Sequence, residues 1–75
     1  MKPQSTYVGK PHPPGSEEYL HILEGNLTLE VAGEKIQLST GDSAHFRGNI
    51  GHSYHNRGQA IVCGLVTIIE SPVAG

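Results

Sequence analysis

Residues 12–25 read His12-Pro13-Pro14-Gly15-Ser16-Glu17-Glu18-Tyr19-Leu20-His21-Ile22-Leu23-Glu24-Gly25. Apolar and polar side chains alternate in the second half of this stretch. Because neighbouring side chains of a strand point to opposite faces, Leu20 and Ile22 would share the core face with Glu18. The prolines favour a stiff loop before the strand, and Gly25 predicts a tight turn after it. The stretch therefore predicts a half-buried β-strand from Glu18 to Leu23.

The rest of the chain repeats this pattern of short alternating runs separated by turn residues. No segment has a helical period, and glycine turns are expected at Gly25, Gly33 and Gly41. Further strands are predicted over residues 6–10, 27–31, 36–38, 44–46 and 52–56. Regularly spaced short strands of this kind are typical of an antiparallel β-sandwich or barrel, so we expect an all-β fold.

The last run, Ala60 to Ile69, is almost wholly apolar. A strand that is apolar on both faces is normally covered on both faces. One face is expected to meet the barrel interior and the other a second subunit, so the sequence predicts a homodimer. Cys63, the one cysteine, allows no internal disulfide and is expected to be a small buried hydrophobe. A chain of 75 residues then needs a metal, a partner or both to be stable.

Charge and hydropathy exclude several classes of partner. The formal net charge is −2, and the five basic residues are scattered rather than clustered, so we expect no nucleic-acid binding by this chain. No apolar run reaches the roughly 20 residues of a membrane-spanning helix, and no signal peptide is recognisable at the start. A cytoplasmic location without membrane contact is the expectation.

Three residues are the candidate metal ligands: His12, Glu18 and His52. A carboxylate on a core face is costly unless it is paired or binds a metal, which singles out Glu18. Two histidines and one carboxylate suit Fe, Mn, Ni, Zn or Cu, and the ligand types do not choose among them. The alternative is a set of hydrogen-bonded polar side chains without metal. Tyr54 and Asn56 would share a strand face with His52, so both are candidate ligand-pocket residues, with Tyr54 offering its hydroxyl or simply filling the barrel.

The spacing of these residues resembles the two sequence motifs of the cupin superfamily. Gly25 follows Glu18 at the interval of the first motif, and Gly41, His52 and Asn56 fit the second. Pro14 stands where the first motif usually has a second histidine, so three protein ligands remain. The resemblance covers roughly residues 12–69. It implies a jelly-roll barrel formed by a single domain over residues 1–75, with a core of about residues 6–70, either minimal or truncated at its N-terminus.

The pattern His-Pro-Pro-Gly-Ser-Glu-Glu-Tyr with Leu-Glu-Gly resembles the cupin halves of bacterial helix-turn-helix regulators. That resemblance implies a metal-binding module that senses a small polar or anionic molecule. The alternative is a metal-dependent cupin enzyme, such as a dioxygenase or an isomerase, for which no catalytic residue is assigned. A third hypothesis is a structural domain with a vestigial site. The sequence leaves all three open.

Overall fold

Seven β-strands form two antiparallel sheets that pack face to face. The computed structural model describes residues 1–70. In chain order the strands are β1 (Ser5–Gly9), β2 (Glu17–Glu24), β3 (Asn26–Val31), β4 (Glu34–Ser39), β5 (Ser43–Arg47), β6 (His52–Asn56) and β7 (Cys63–Ile69). One sheet has the order β1-β6-β3-β4 and the other β5-β2-β7. The expected all-β antiparallel sandwich is confirmed.

The chain changes sheet at most of its turns, which brings β2 and β6 to face each other across the interior. Only the β3–β4 hairpin joins neighbouring strands of one sheet directly. Gly25, where the chain crosses from β2 to β3, has a φ of 104°, and a Cβ there would lie 3.0 Å from Val62 Cγ2. Gly33 and Gly41 also have positive φ, so all three predicted glycine turns are confirmed.

The core lies between the sheets and is built from the predicted alternation. Leu20 and Ile22 of β2 are buried, whereas Tyr19 and Leu23 on the opposite face are exposed. Their partners in the core are Leu27, Leu29, Leu38, Tyr54 and Val62. Glu18 shares the face of Leu20 and Ile22 and is itself buried, as the sequence predicts.

The terminal strand departs from its prediction. Every residue of β7 is exposed in the single chain, and β7 is an edge strand paired only with β2. Within residues 1–70 of the single chain, the expectation of a buried Cys63 is wrong, because β7 has no strand beside its outer edge there. The alternation of strand faces still holds: Val66 and Ile68 line partly open cavities between the sheets, and Leu65 lines a recess on the outer face.

The start of the chain differs from its prediction by one residue. The first strand begins and ends one residue earlier than predicted, at Ser5 and Gly9. The tail after Glu70 falls outside the described residues. Within the described part, no helix is long and apolar enough to cross a membrane.

Candidate metal centre

Glu18 and His52 meet between the two sheets at one end of the sandwich. Glu18 lies on β2, beside Phe46 in the strand register, and His52 lies on β6, beside Gly9. Their side chains are 3% and 2% exposed, and Glu18 Oε2 is 3.2 Å from His52 Nε2. The folding of the strands into opposite sheets therefore places a carboxylate and an imidazole in contact, away from water.

The two oxygens of Glu18 have different surroundings. Oε1 accepts a hydrogen bond from the Tyr54 hydroxyl. Burial raises the pKa of Tyr54 above its ordinary value, and the hydrogen bond and charge of Glu18 raise it further, so Tyr54 keeps its proton. Oε2 is buried and has no hydrogen-bond partner, even though His52 Nε2 is close by. Tyr54 thus fixes the carboxylate and leaves one oxygen unsatisfied.

The orientation of His52 explains why it does not satisfy that oxygen. Its Nδ1 lies 2.9 Å from the backbone carbonyl of Ile50, which can only accept, so Nδ1 carries the proton. In the tautomer that this contact favours, Nε2 is an acceptor that faces the acceptor Oε2 at 3.2 Å. Two buried acceptors in contact disfavour each other unless a proton or a metal cation lies between them. A backbone carbonyl holding the far nitrogen is also the usual arrangement of a metal-binding histidine.

The third candidate, His12, comes from the proline-rich loop between β1 and β2. Its backbone N–H donates to the Gly48 carbonyl at 2.8 Å, and the Gly48 N–H donates to Ser16 at 3.0 Å, which pins the loop over the site. His12 Nε2 is 4.0 Å from Glu18 Oε2, and its Nδ1 is 3.9 Å from Glu70 Oε1. The side chain is 27% exposed, so His12 lies at the mouth of the site.

These distances test how well the three residues fit one ion. Ligand atoms that share an ion at bond lengths of about 2.0–2.2 Å lie roughly 3–3.5 Å from each other. The 3.2 Å contact of Glu18 with His52 meets this condition, and the 4.0 Å contact with His12 is longer by less than an ångström. In the described part of the chain, no group of three ligands is already close enough to count as a formed metal site. Glu18 and His52 fit a cation, and His12 lies at the mouth of the same site, beyond the ligand spacing from Glu18.

Gly9 is a site residue that the sequence analysis missed. A Cβ on Gly9 would lie 2.2 Å from His52 Nε2, so only glycine leaves the imidazole its position. The available signal was the spacing Gly9-Lys10-Pro11-His12, a glycine shortly before the first histidine. The close approach itself depends on the pairing of β1 with β6, which the local sequence does not reveal.

The two predicted pocket residues have different surroundings. Tyr54 lies beside His52, with ring centroids 5.5 Å apart, and lines the cavities between the two sheets. Asn56 is buried in the turn after β6: its amide donates to the carbonyls of Met1 and Ala60 and accepts from the Gly58 N–H. The structure therefore places Asn56 at the turn and not in the cavity walls.

The remaining histidines point away from the centre, as the alternation of strand faces predicts. His21 contacts the Ser43 hydroxyl and His45 contacts Glu17, both on the outer face of the β5-β2-β7 sheet. His55 contacts Thr6 and Ser53. None of the three reaches Glu18.

Comparison with known proteins agrees with this architecture. The family model described as a cupin domain matches residues 1–69. No curated protein matches the chain. A solved structure similar to this chain is the cupin domain of an XRE family transcriptional regulator from Enterobacter cloacae. It has a TM-score of 0.86 and 25% identity, and the alignment covers 96% of this chain and 75% of the other.

Two further structures are similar over the same 96% of this chain. One is described as a sugar phosphate isomerase from a cupin superfamily, from Silicibacter pomeroyi, with a TM-score of 0.78 and 26% identity over 47% of that chain. The other is an HTH_3 family transcriptional regulator from Vibrio cholerae, with a TM-score of 0.80 and 24% identity over 39% of that chain. The likeness to the Vibrio protein shows the fold alone. This chain spans less than half of either protein.

Proposed function

The chain belongs to the cupin domain family, and on that premise we propose that it is a binding module built around a divalent transition metal. Glu18 and His52 would hold the ion, with His12 as the third ligand from the loop. The centre would bind a small polar or anionic molecule. The observation that carries this proposal is the buried, unpaired Oε2 of Glu18 facing the bare Nε2 of His52.

The donor set agrees with a transition metal. One carboxylate oxygen and two imidazole nitrogens suit Fe, Mn, Ni, Zn or Cu. Such an ion supplies a Lewis acid that holds or polarises an oxygen of a bound molecule. With three protein ligands, coordination positions stay open for that molecule. The chain's own residues do the positioning: Tyr54 holds Glu18, the Ile50 carbonyl holds His52, and Gly48 holds the loop of His12.

The surroundings of the site support binding of an anion. Lys10 lines the same cavity as the three ligands, and among the described residues it is the only lysine or arginine in that wall. A divalent ion offsets the negative charge of Glu18, and Lys10 adds a further positive charge near the entrance. Similarity to the cupin domain of a transcriptional regulator also favours a sensor role in the cytoplasm, in which this chain itself contacts no nucleic acid.

A metal-dependent enzyme is the second candidate. It is favoured by the likeness, at 26% identity, to a protein described as a sugar phosphate isomerase. Apart from the ligands, the titratable side chains that residues 1–70 contribute to the cavity wall are Lys10, Tyr7 and Tyr54, and Tyr54 already donates its hydroxyl to Glu18. The sparse supply of free proton-transfer groups places the sensor first. Turnover of any sugar phosphate by metal-loaded protein would reverse that order.

The test of the metal centre is the metal content of matched variants. His52→Ala removes a proposed ligand, and we expect metal per chain to fall by at least about tenfold. His55→Ala, three residues along the chain and on the opposite strand face, should keep the wild-type content. Plasma mass spectrometry on tag-free protein measures both. Unchanged metal in His52→Ala would show that the ligand set is wrong.

We also propose that the chain is a homodimer through its terminal strand. Strand β7 has an unpaired edge and no charged residue, and Leu65 and Ile69 are 57% and 48% exposed. An uncharged apolar edge of this length is a template for pairing with another chain. Sedimentation at micromolar concentration should give a dimer for the wild type and a monomer for Leu65→Glu. Ile36→Glu, at a similarly exposed apolar residue of β4, is the control and should stay dimeric. A monomeric wild type would refute the dimer.

A further inference from the structure

Two cavities, both partly open to solvent, lie side by side between the sheets and share part of their walls. The first, of about 350 Å³, is the polar cavity, and the residues found only in its wall are Gly9, Lys10, His12, Glu18, His52 and Ile68. The second, of about 340 Å³, is the apolar cavity, and the residues found only in its wall are Met1, Leu20, Ile22, Leu27, Val62 and Gly64. Tyr7, Tyr54 and Val66 line both.

The wall of the apolar cavity has few hydrogen-bonding groups that could hold a water molecule. The one buried polar side chain in its wall, Tyr54, already donates its hydroxyl to Glu18 on the other side. The apolar wall gives a water molecule few hydrogen-bond partners, so an apolar group that covers this wall displaces weakly held water. The volume is within the range of about 300–1,000 Å³ typical of small-molecule sites. The metal centre does not use this space.

The junction between the cavities is formed by aromatic and apolar side chains. The rings of Tyr7 and Tyr54 stack with centroids 5.9 Å apart, and Val66 reaches the same place from the opposite sheet. A ligand held at Glu18 and His52 would therefore extend past Tyr54 along an apolar surface. A molecule with one polar end and one apolar end matches this arrangement.

We propose that the ligand is an amphipathic monocarboxylate, with its carboxylate in the polar cavity and its apolar chain in the apolar cavity. This inference rests on the proposed function, because a bound cation is needed beside Glu18 before an anionic group is favoured there. Lys10 provides the second positive charge for the carboxylate. The apolar cavity selects for the length of the ligand's alkyl chain, since each buried methylene tightens binding about fourfold.

The experiment is a calorimetric titration of metal-loaded protein with acetate, butyrate, hexanoate and octanoate. We expect affinity to rise about fourfold per methylene until the apolar cavity is full. Equal affinity for acetate and octanoate, or no binding by any of them, would overturn the inference. Metal content measured on the same sample reports on the proposed function separately. If metal is bound but affinity does not depend on the length of the alkyl chain, only the amphipathic ligand is refuted. If no metal is bound, the metal centre itself is refuted.

A pair of variants locates the chain-length effect. Val66 is half-exposed, and in Val66→Phe the larger ring fills the junction between the cavities. This variant should abolish the increase in affinity from acetate to octanoate. Leu23→Phe adds a ring at the exposed Leu23 on the outer face of the same sheet and should leave this gain in affinity unchanged. If Val66→Phe shows the same increase in affinity as the wild type, the alkyl chain of the ligand binds elsewhere, which overturns the inference.

A measurement on the wild type covers the case in which Val66→Phe does not fold. Octanoate, but not acetate, should shift the methyl resonances of Ile22 and Leu27, which line the apolar cavity. The methyl resonances of the exposed Leu23 and Leu65 should not move. Equal shifts at both sets of methyls would indicate surface binding and contradict the inference.

Discussion

Glu18→Gln should stabilise the metal-free protein although it removes a proposed ligand. In the wild type, Oε2 is buried, lacks a hydrogen-bond partner and faces His52 Nε2 at 3.2 Å. A buried polar atom left unpaired costs about 1–3 kcal/mol, and a charged one more. Glutamine puts an N–H donor in place of Oε2, within reach of the His52 lone pair. Its remaining oxygen still accepts from Tyr54, at a loss of about 1 kcal/mol, because that hydrogen bond is no longer charge-assisted.

The free energy of unfolding of the metal-free variant should therefore exceed that of the wild type by about 1–2 kcal/mol. In a domain of this size, each 1 kcal/mol raises the melting temperature by roughly 4–8 °C. Excess metal should reverse this order of stability, so that the wild type melts above the variant. An ion at about 100 times its dissociation constant stabilises the wild type by about 2.7 kcal/mol, whereas the variant has lost a ligand and gains little.

Thermal unfolding by circular dichroism, once with chelator and once with excess metal, measures both effects. Glu17→Gln is the matched control, since Glu17 is the neighbouring residue, 47% exposed, and contacts His45 on the outer face. It should change stability by no more than about 1 kcal/mol in either condition. If Glu18→Gln melts below the wild type in chelator, Oε2 is not an unfavourable buried group and the reasoning fails.

Three other substitutions test separate parts of the structure. Gly9→Ala puts a Cβ 2.2 Å from His52 Nε2, which must move by about 1 Å to reach ordinary contact, so metal affinity should fall about 10–100-fold. The control is Gly51→Ala, whose Cβ meets no atom within 4 Å; equal metal affinity in the two variants would refute the close approach. The raised pKa of Tyr54 means that the unfolded chain loses this proton first as pH rises, so stability falls above about pH 10. In Tyr54→Phe that alkaline decline, followed by urea unfolding, should be shallower; an equal decline would assign it to other groups. Ala32 has a φ of 52° in the hairpin turn, so Ala32→Asn should stabilise the protein by about 0.5–1 kcal/mol in the same assay, and a loss of stability would contradict the turn geometry.

Much of the fold could be predicted from local alternation. The sequence pattern of β2 places Leu20 and Ile22 in the core, and the position of Glu18 on that face already predicts a buried carboxylate. The same rule places His52 and Tyr54 on one face of β6. These predictions succeed because the direction of a strand side chain depends only on its place in the strand.

Features that depend on pairing between distant strands were not predictable in this way. The contact of Gly9 with His52 joins residues that are far apart in the sequence, and it follows from the β1–β6 register. The exposure of β7, including Cys63, follows from its place at the edge of a sheet, which composition does not specify. The role of Asn56 in its turn depends on the nearby backbone of Met1 and Ala60.

The proposed metal centre is tested most directly by the stoichiometry of metal in the wild-type protein. Tag-free protein, purified without chelator and analysed by plasma mass spectrometry, should contain close to one transition metal ion per chain. The same value should be reached after removal of the metal and reloading. No retained metal after loading with Fe, Mn, Ni, Zn and Cu in turn would contradict the assignment of His12, Glu18 and His52 as ligands.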